Sequence, residues 1–368
     1  MIYFDHNATT PCDGRVVEAM LPYLHGMYGN PSSLYKLGRI ARSAIDTARE
    51  QVATLIDAPP SQVVFTSGGT EANALALANA YGVGLAVSAI EHPSVFENAQ
   101  YHAYRYRDLM TLPVDKSGVV NPQAVVNLPW QPGDFASLML ANNETGGLQN
   151  VSEIAERLAE SGVNLHTDAV QALGKIPISF RQLGVKLMSL SSHKIYGPKG
   201  CGALIVAENF KLQAWQRGGD QERGLRAGTE NVPAIVGFGK AAELAKAELE
   251  QRMAKMLTLR TRLEQALHAI PGLVIFAEHA SRLPNTVQFG LPGVSGEMLL
   301  MQLDQRNIAV SSGSACSAAS GEISPVLVAM GVEASLAKAA IRVSLGKDNQ
   351  ESEIDQFVDA LKALTSSH

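Results

Sequence analysis

A succession of short apolar runs, each ending in a small polar turn and separated by helical patterns, constrains this chain more than any other feature. Val63-Val64-Phe65 leads into Ser67-Gly68-Gly69-Thr70-Glu71, residues 85–90 into Glu91-His92-Pro93-Ser94, and residues 135–141 into Asn142-Asn143-Glu144-Thr145-Gly146. Residues 163–167 end at Asp168, 186–190 run into Ser191-Ser192-His193-Lys194, and the run 203–206 follows. Interleaved with helical stretches at 39–58, 72–80 and 152–160, these runs predict an α/β fold with a mainly parallel sheet between helices. The stripe Ile40, Ala44, Ala48, Val52 and Leu55 gives the first helix its buried face, and Pro59-Pro60 ends it. In such a sheet the polar residues at successive strand ends gather in one crevice.

Bulk properties bound the rest. The chain has 368 residues, 46% of them hydrophobic, and single cores stop growing near ~250–300 residues, so two domains are predicted. A long helical region opened by Pro233 runs to about Ile270 and is broken by Pro271-Gly272. Beyond it, residues 286–290, 308–311 and 340–345 read as strands and 351–364 as a closing amphipathic helix. The net charge of −5 and the lack of a dense Lys/Arg block argue against a direct nucleic-acid partner. The N-terminus lacks the basic start and apolar run of a signal peptide, and no apolar span reaches the ~18 residues of a membrane helix. Cys12, Cys201 and Cys316 have no metal-type spacing, so no metal is expected and a cytoplasmic location is.

Lys194 follows an apolar run and precedes a Gly-Pro break, which places an amine nucleophile at a strand end; a surface lysine is the plain alternative. Asp168 ends the preceding strand, where it could equally cap a helix, and Gln171 follows by three. The strand–Gly-rich turn–helix at 67–71 suits an anion, or is an ordinary βα turn; it is no Walker loop, since no Gly-Lys-Ser/Thr follows. Together these three features match what pyridoxal phosphate requires: a lysine for its aldehyde, a carboxylate for its ring nitrogen and a helix start for its phosphate. Gly237 to Ala242 matches a loose dinucleotide fingerprint, but it lies in a helical pattern with no strand before it, which excludes a nicotinamide site there. Residues 217–231, rich in Gly, Arg and Glu, read as an exposed loop.

The ordered motifs Asp5-His6-Asn7-Ala8-Thr9-Thr10-Pro11, Gly29-Asn30-Pro31-Ser32, Ser67-Gly68-Gly69-Thr70-Glu71, Glu91-His92, Asn142 to Gly146, Asp168-Ala169-Val170-Gln171, Ser192-His193-Lys194, Arg226 to Asn231 and Ser312 to Cys316 resemble the cysteine desulfurases. These are pyridoxal-phosphate enzymes of fold type I, related to class V aminotransferases, and the resemblance spans essentially the whole chain. It implies a large domain over 15–250 with a mainly parallel seven-stranded sheet, and a small α+β domain made of 1–14 and 251–368. It also implies that L-cysteine loses its sulfur to Cys316 on a mobile loop (311–321), alanine leaves, and the persulfide passes to a sulfur-acceptor protein. Lys194 then looks like the lysine holding the cofactor and shuttling protons, with Asp168 at the ring nitrogen and Gln171 at the phenolate oxygen. His92 would stack on the ring and assist proton transfer, or make only a structural hydrogen bond. Gly69, Thr70, Ser191 and His193 would bind the phosphate, and Thr229 would reach the phosphate of a neighbouring subunit in a homodimer. Asn143 and Arg342 would hold the substrate carboxylate, with Asn143 also adjoining the cofactor and Asn7 the substrate. Independently, a guanidinium within the apolar run Ala340-Ile341-Arg342-Val343-Ser344 calls for an anion, which a structural salt bridge would also supply. Cys316 sits among Ser, Gly and Ala that cannot bury it, whereas Cys12 and Cys201 are expected to pack as small hydrophobes. Ser192 stands where relatives often carry Gly or Ala. A selenocysteine lyase, a class V aminotransferase and a cofactor-free sulfur carrier are the competing readings.

Overall fold

The computed structural model describes residues 1–312 and 323–365. Its centre is a seven-stranded sheet in the spatial order Val63–Thr66, Gly202–Val206, Leu187–Ser191, Asn164–Asp168, Phe135–Ser137, Leu85–Ser88, Leu109–Leu112. Gly202–Val206 runs antiparallel to both its neighbours, and the other strands are mutually parallel. Apart from the edge strand Leu109–Leu112, the strands are buried on both faces because alternate residues serve different cores. Phe65, Leu190 and Ile205 join helices Lys36–Leu55 and Val232–Ala247 on one side, while Val64, Leu187 and Leu204 meet helix Gly69–Ala78 on the other.

A further core gathers Phe4 with residues of helices Leu249–His268 and Glu351–Thr365 around the antiparallel strands Val274–Ile275, Thr286–Gly290 and Ala340–Ser344. The N-terminus is drawn in by the parallel pair Ile2–Tyr3 and Ile308–Ala309. No helix among the described residues is long and apolar enough to cross a membrane.

Three departures from the sequence pattern have physical causes. The helical region after Pro233 is two helices, Val232–Ala247 and Leu249–His268, hinged at Glu248 (φ −106°, ψ 6°), whose carboxylate pairs with Arg15 and Arg252. Helix Gly14–His25, capped by Asp13, went unread because it contains Pro22 and buries only Val16. The edge strand Leu109–Leu112 is half exposed and lacks a continuous apolar run. Cys201 is buried at 1% exposure, but Cys12 is exposed, a correction to its expected packing; it lies in coil between Pro11 and the capping Asp13.

Residues 217–231 are held by ion pairs to Arg42, Arg49 and Glu71, of which Arg49–Glu222 is buried on both sides. Glu222 and Arg223 have left-handed φ values of 46° and 59°, a conformation that costs about 1–3 kcal/mol each in a non-glycine residue. Arg49 opposes this by binding Glu222 with two hydrogen bonds of 2.7 and 2.6 Å, and the same carboxylate accepts from Phe65 N at 2.9 Å. Arg49→Met is therefore expected to destabilise the fold by about 3–5 kcal/mol, by stranding a buried carboxylate. Adding Glu222→Met should recover part of that loss in urea denaturation; no recovery would refute the pairing argument. A second expectation concerns acid. Burial pushes the His166 pKa down to about 3 between Ser137 Oγ and Ser189 Oγ (both 2.9 Å), and holds His6 at about 4. Below the ordinary value near ~6.5 the unfolded chain binds protons that these native rings refuse, so stability is complete above that pH and falls beneath it. The unfolding free energy from urea titrations should decline from pH 7 to pH 5, by up to about 1.4 kcal/mol per pH unit for each ring, offset in part by Glu91, whose buried carboxyl is pushed up to about 8; a flat profile contradicts it.

Candidate active site

The C-terminal ends of the parallel strands open onto one cavity of about 350 Å³. Its wall contains Asn7, Gly69, Thr70, His92, Asn143, Asp168, Gln171, Ser191, His193, Lys194 and Arg342, all singled out in the sequence. Thr229 is exposed on this chain and does not line the cavity, and Cys316 lies outside the described residues.

One wall is the start of helix Gly69–Ala78. A Cβ at Gly69 would come within 2.9 Å of Val170 Cγ2, so only glycine lets the turn approach the loop after Asp168. The first-turn N–H groups and the helix dipole make this end attractive to an anion. The hydroxyls of Thr70 and Ser191, on its rim, make no hydrogen bond among the described residues. Glu71 ties the turn down: it accepts from Ser67 N at 2.8 Å and receives Arg226 through bonds of 2.7 and 3.0 Å. Burial and the nearby Lys194 push His193 to about 4, so the ring is neutral; its Nδ1 lies 3.1 Å from Thr9 Oγ1.

Lys194 ends the short 3₁₀ turn Ser192–Lys194 that follows strand Leu187–Ser191. Its Nζ donates to the carbonyls of Asn7 (2.5 Å) and Ala8 (2.7 Å). Asp168, on the neighbouring strand, keeps Oδ1 on Val170 N (2.9 Å) and Oδ2 on Asn73 Nδ2 (2.7 Å). Asn73 also donates to Ser94 Oγ at 2.9 Å. That leaves the Ser94 proton for His92 Nδ1, 2.8 Å away, which accepts from Ser94 N as well. Burial holds the His92 pKa below its ordinary value, the more so because Lys194 is near, although Asp168 works against this. The neutral ring therefore carries its proton on Nε2.

Glu91 is wholly buried beside this network. Its Oε1 accepts from Ser88 Oγ (2.8 Å) and Met139 N (2.7 Å), and burial, with the Asp168 charge, pushes its pKa up to about 8. At neutral pH it is predominantly a neutral acid. Burial also raises the pKa of Glu144, a third carboxyl in the cavity wall, although Ser324 and Arg342 work against this. Asn73 escaped the sequence reading, and Glu91 entered it only as part of the Glu91-His92 motif, without a role. The only signals were a lone amide in an Ala/Leu helix and a carboxylate immediately before His92.

Opposite lies Arg342, on strand Ala340–Ser344. Nη2 pairs with Asp5 Oδ1 at 2.7 Å and Nη1 donates to Asn143 O at 3.0 Å, while buried Nε has no partner among the described residues. The salt bridge foreseen as an alternative thus exists, and the guanidinium still borders the cavity. Asn143 contributes its carbonyl to Arg342, leaving its side-chain amide without a hydrogen bond among the described residues. Asn7 differs from its expected substrate contact: both ends of its side chain are committed to Asn143 O, Thr286, Lys175 and Asn285. An amine, the Asp168 carboxylate, neutral imidazoles, an anion-binding helix start and a guanidinium thus share one concavity.

Residues 2–357 match the class-V aminotransferase family. The cysteine desulfurase IscS of Methanosarcina thermophila is 41% identical over 369 residues, covering 99% of this chain and 91% of the relative. Among solved structures, a NifS-like protein from Rickettsia africae superposes with a TM-score of 0.92 at 35% identity, covering 100% of this chain and 99% of the other. SspA in complex with cysteine gives 0.84 at 31% identity, over 94% and 99%. With agreement running nearly end to end in both sequence and fold, the chain belongs to the class-V aminotransferase family, among its cysteine desulfurases.

Proposed function

We propose that this protein is a pyridoxal-phosphate-dependent cysteine desulfurase that takes sulfur from L-cysteine, releases L-alanine and hands the sulfur to an acceptor protein. The observation that carries the reading is the Lys194 amine set in the same cavity as the Asp168 carboxylate, with a helix start and Arg342 on its walls. The donor set fits the cofactor. Lys194 would hold its aldehyde carbon, Asp168 its ring nitrogen and Gln171 its ring oxygen. The first turn of helix Gly69–Ala78, with Thr70, Ser191 and His193, would hold its phosphate. Bound there, the group supplies an electron sink for the amino acid's carbon skeleton.

The chain's own residues then divide the work. Arg342, whose Nε has no partner among the described residues, receives the substrate carboxylate. Lys194 moves a proton at the substrate's α-carbon, and His92 offers a donor at Nε2 because Ser94 occupies Nδ1. Cys316 attacks the substrate sulfur as a thiolate: an S–S bond forms on Cys316, the substrate's Cβ–S bond breaks, and Cβ takes a proton to complete alanine. The named relatives favour this reaction over selenocysteine lyase or aminotransferase chemistry.

The wider reading is a cytoplasmic homodimer, with residues 15–250 as the large domain and 1–14 with 251–368 as the small one. Leu24, Tyr28 and Leu34 (88% exposed) offer apolar surface for a second copy, and exposed Thr229 would then reach the partner's phosphate site. The acceptor belongs to iron–sulfur cluster assembly or a thio-modification route. Cys316→Ala is expected to keep the cofactor's visible band near ~420 nm while alanine production from cysteine falls by at least ~10³-fold. Wild-type turnover by that variant would sink the assignment.

A further inference from the structure

Lys175 is a buried amine that the chemistry above does not use. It follows strand Asn164–Asp168 on a helical turn in which Leu173 N donates to Ala169 O (3.0 Å) and Lys175 N to Ala172 O (3.1 Å). Gly174 breaks that turn with φ +66°, and a Cβ there would lie 2.8 Å from Ile195 Cγ2, so glycine is required by both dihedral and space. The break brings Lys175 back beneath Gln171, four residues earlier. Only 5% of Lys175 is exposed, and it forms no salt bridge among the described residues. Its Nζ donates to Gln171 Oε1 at 2.8 Å and to Asn7 Oδ1 at 2.9 Å, both neutral acceptors. Burying an amine without a carboxylate is costly, so the position calls for a reason. The charged and titratable groups around it are Lys194, Arg342 and His6; burial and the first two hold its pKa well below that of an ordinary lysine.

We propose that Lys175 is a positioning residue that locks the Gln171 amide so that it can offer only an N–H, never its oxygen, to the cavity. The lock has two ends. Gln171 Oε1 sits on the lysine, and Gln171 Nε2 donates to Asn7 O at 2.9 Å. Turning the amide over would break the bond that Lys175 donates to Oε1 and set the oxygen against the Asn7 carbonyl, which has no hydrogen to give. The second Nε2 hydrogen remains for an acceptor on the cavity side. Lys175 fixes Asn7 in the same way. With Oδ1 held by Lys175 and Asn285, Nδ2 must face Thr286 Oγ1 (2.9 Å) and Asn143 O (3.1 Å). One amine therefore sets the sense of two amides.

The inference rests on the cofactor reading, which supplies the acceptor: an anionic ring oxygen. A donor fixed toward that oxygen stabilises its charged form and lowers the pH at which the bound cofactor's visible absorbance titrates. The test is that titration, done on the holoenzyme. Lys175→Met should raise the midpoint by about one pH unit, Gln171→Leu should raise it equally, and the double variant should go no further. Lys175→Gln, which keeps a donor without a charge, should stay nearer the wild type. An unmoved midpoint in Lys175→Met overturns the proposal. So do shifts that add in the double variant, since the amine would then act on the ring by its own field. If the methionine variant does not fold, Lys175→Gln takes its place in the cycle: a shift as large as that of Gln171→Leu, and additive to it, is equally fatal. Failure of the wild type to develop any visible band with pyridoxal phosphate would instead strike the cofactor reading itself.

Discussion

The main-chain carbonyl of Asn7 is the point on which the site hangs. It accepts from Lys194 Nζ and from Gln171 Nε2, two groups carried by different loops of the seven-stranded sheet. The same residue's side chain reaches Thr286 and Asn285 beside the antiparallel sheet, and its N–H donates to Ser344 Oγ at 2.9 Å. Asn7 is 1% exposed, so none of these bonds competes with water. A short N-terminal segment thereby pins the amine and amide of one layer against the arginine-bearing strand of another.

Charge is distributed around that pin with some economy. Lys194 and Arg342 line one side of the cavity, with Lys175 buried behind Gln171, and Asp5 pairs with Arg342. On the other side Asp168 is braced by Asn73 and Val170, while Glu91 is held as an acid. His92 and His193 are kept neutral by burial and nearby lysine charge. Burial in each case penalises the charged form unless a specific partner stabilises it. The cavity therefore meets a ligand with the braced Asp168 carboxylate, neutral imidazoles and an arginine whose Nε has no partner among the described residues.

Most of the cavity was legible in the chain because the fold puts strand ends together. Asp168, Ser191, His193 and Lys194 each stand where an apolar run gives way to polar residues, and parallel neighbours bring such points to one edge. Gly69 and Thr70 announced themselves by the glycine turn before an alanine-rich helix. Asn73 carried no such mark inside an Ala/Leu helix, Lys175 lies in a turn with no periodic pattern, and Glu91 was read only as the neighbour of His92. The hinge at Glu248 was hidden for a related reason: no glycine or proline marks it, and the two arginine pairings that accompany it come from distant and adjacent turns alike. Cys12 misled because its exposure follows from the path of the chain around the Asp13 cap, not from residue type.

Local pattern alone was enough for the alternation of strands and helices, the side of the sheet on which chemistry would lie, and the identity of the amine, carboxylate and guanidinium, because periodicity and turn chemistry act over a few residues. Tertiary structure decided how those groups are oriented and charged: which nitrogen of His92 holds the proton, which end of Gln171 faces inward, which carboxyl ionises. Those properties depend on hydrogen-bond partners such as Ser94, Lys175 and Asn73, and on burial, both of which arise only when segments far apart in the chain come into contact.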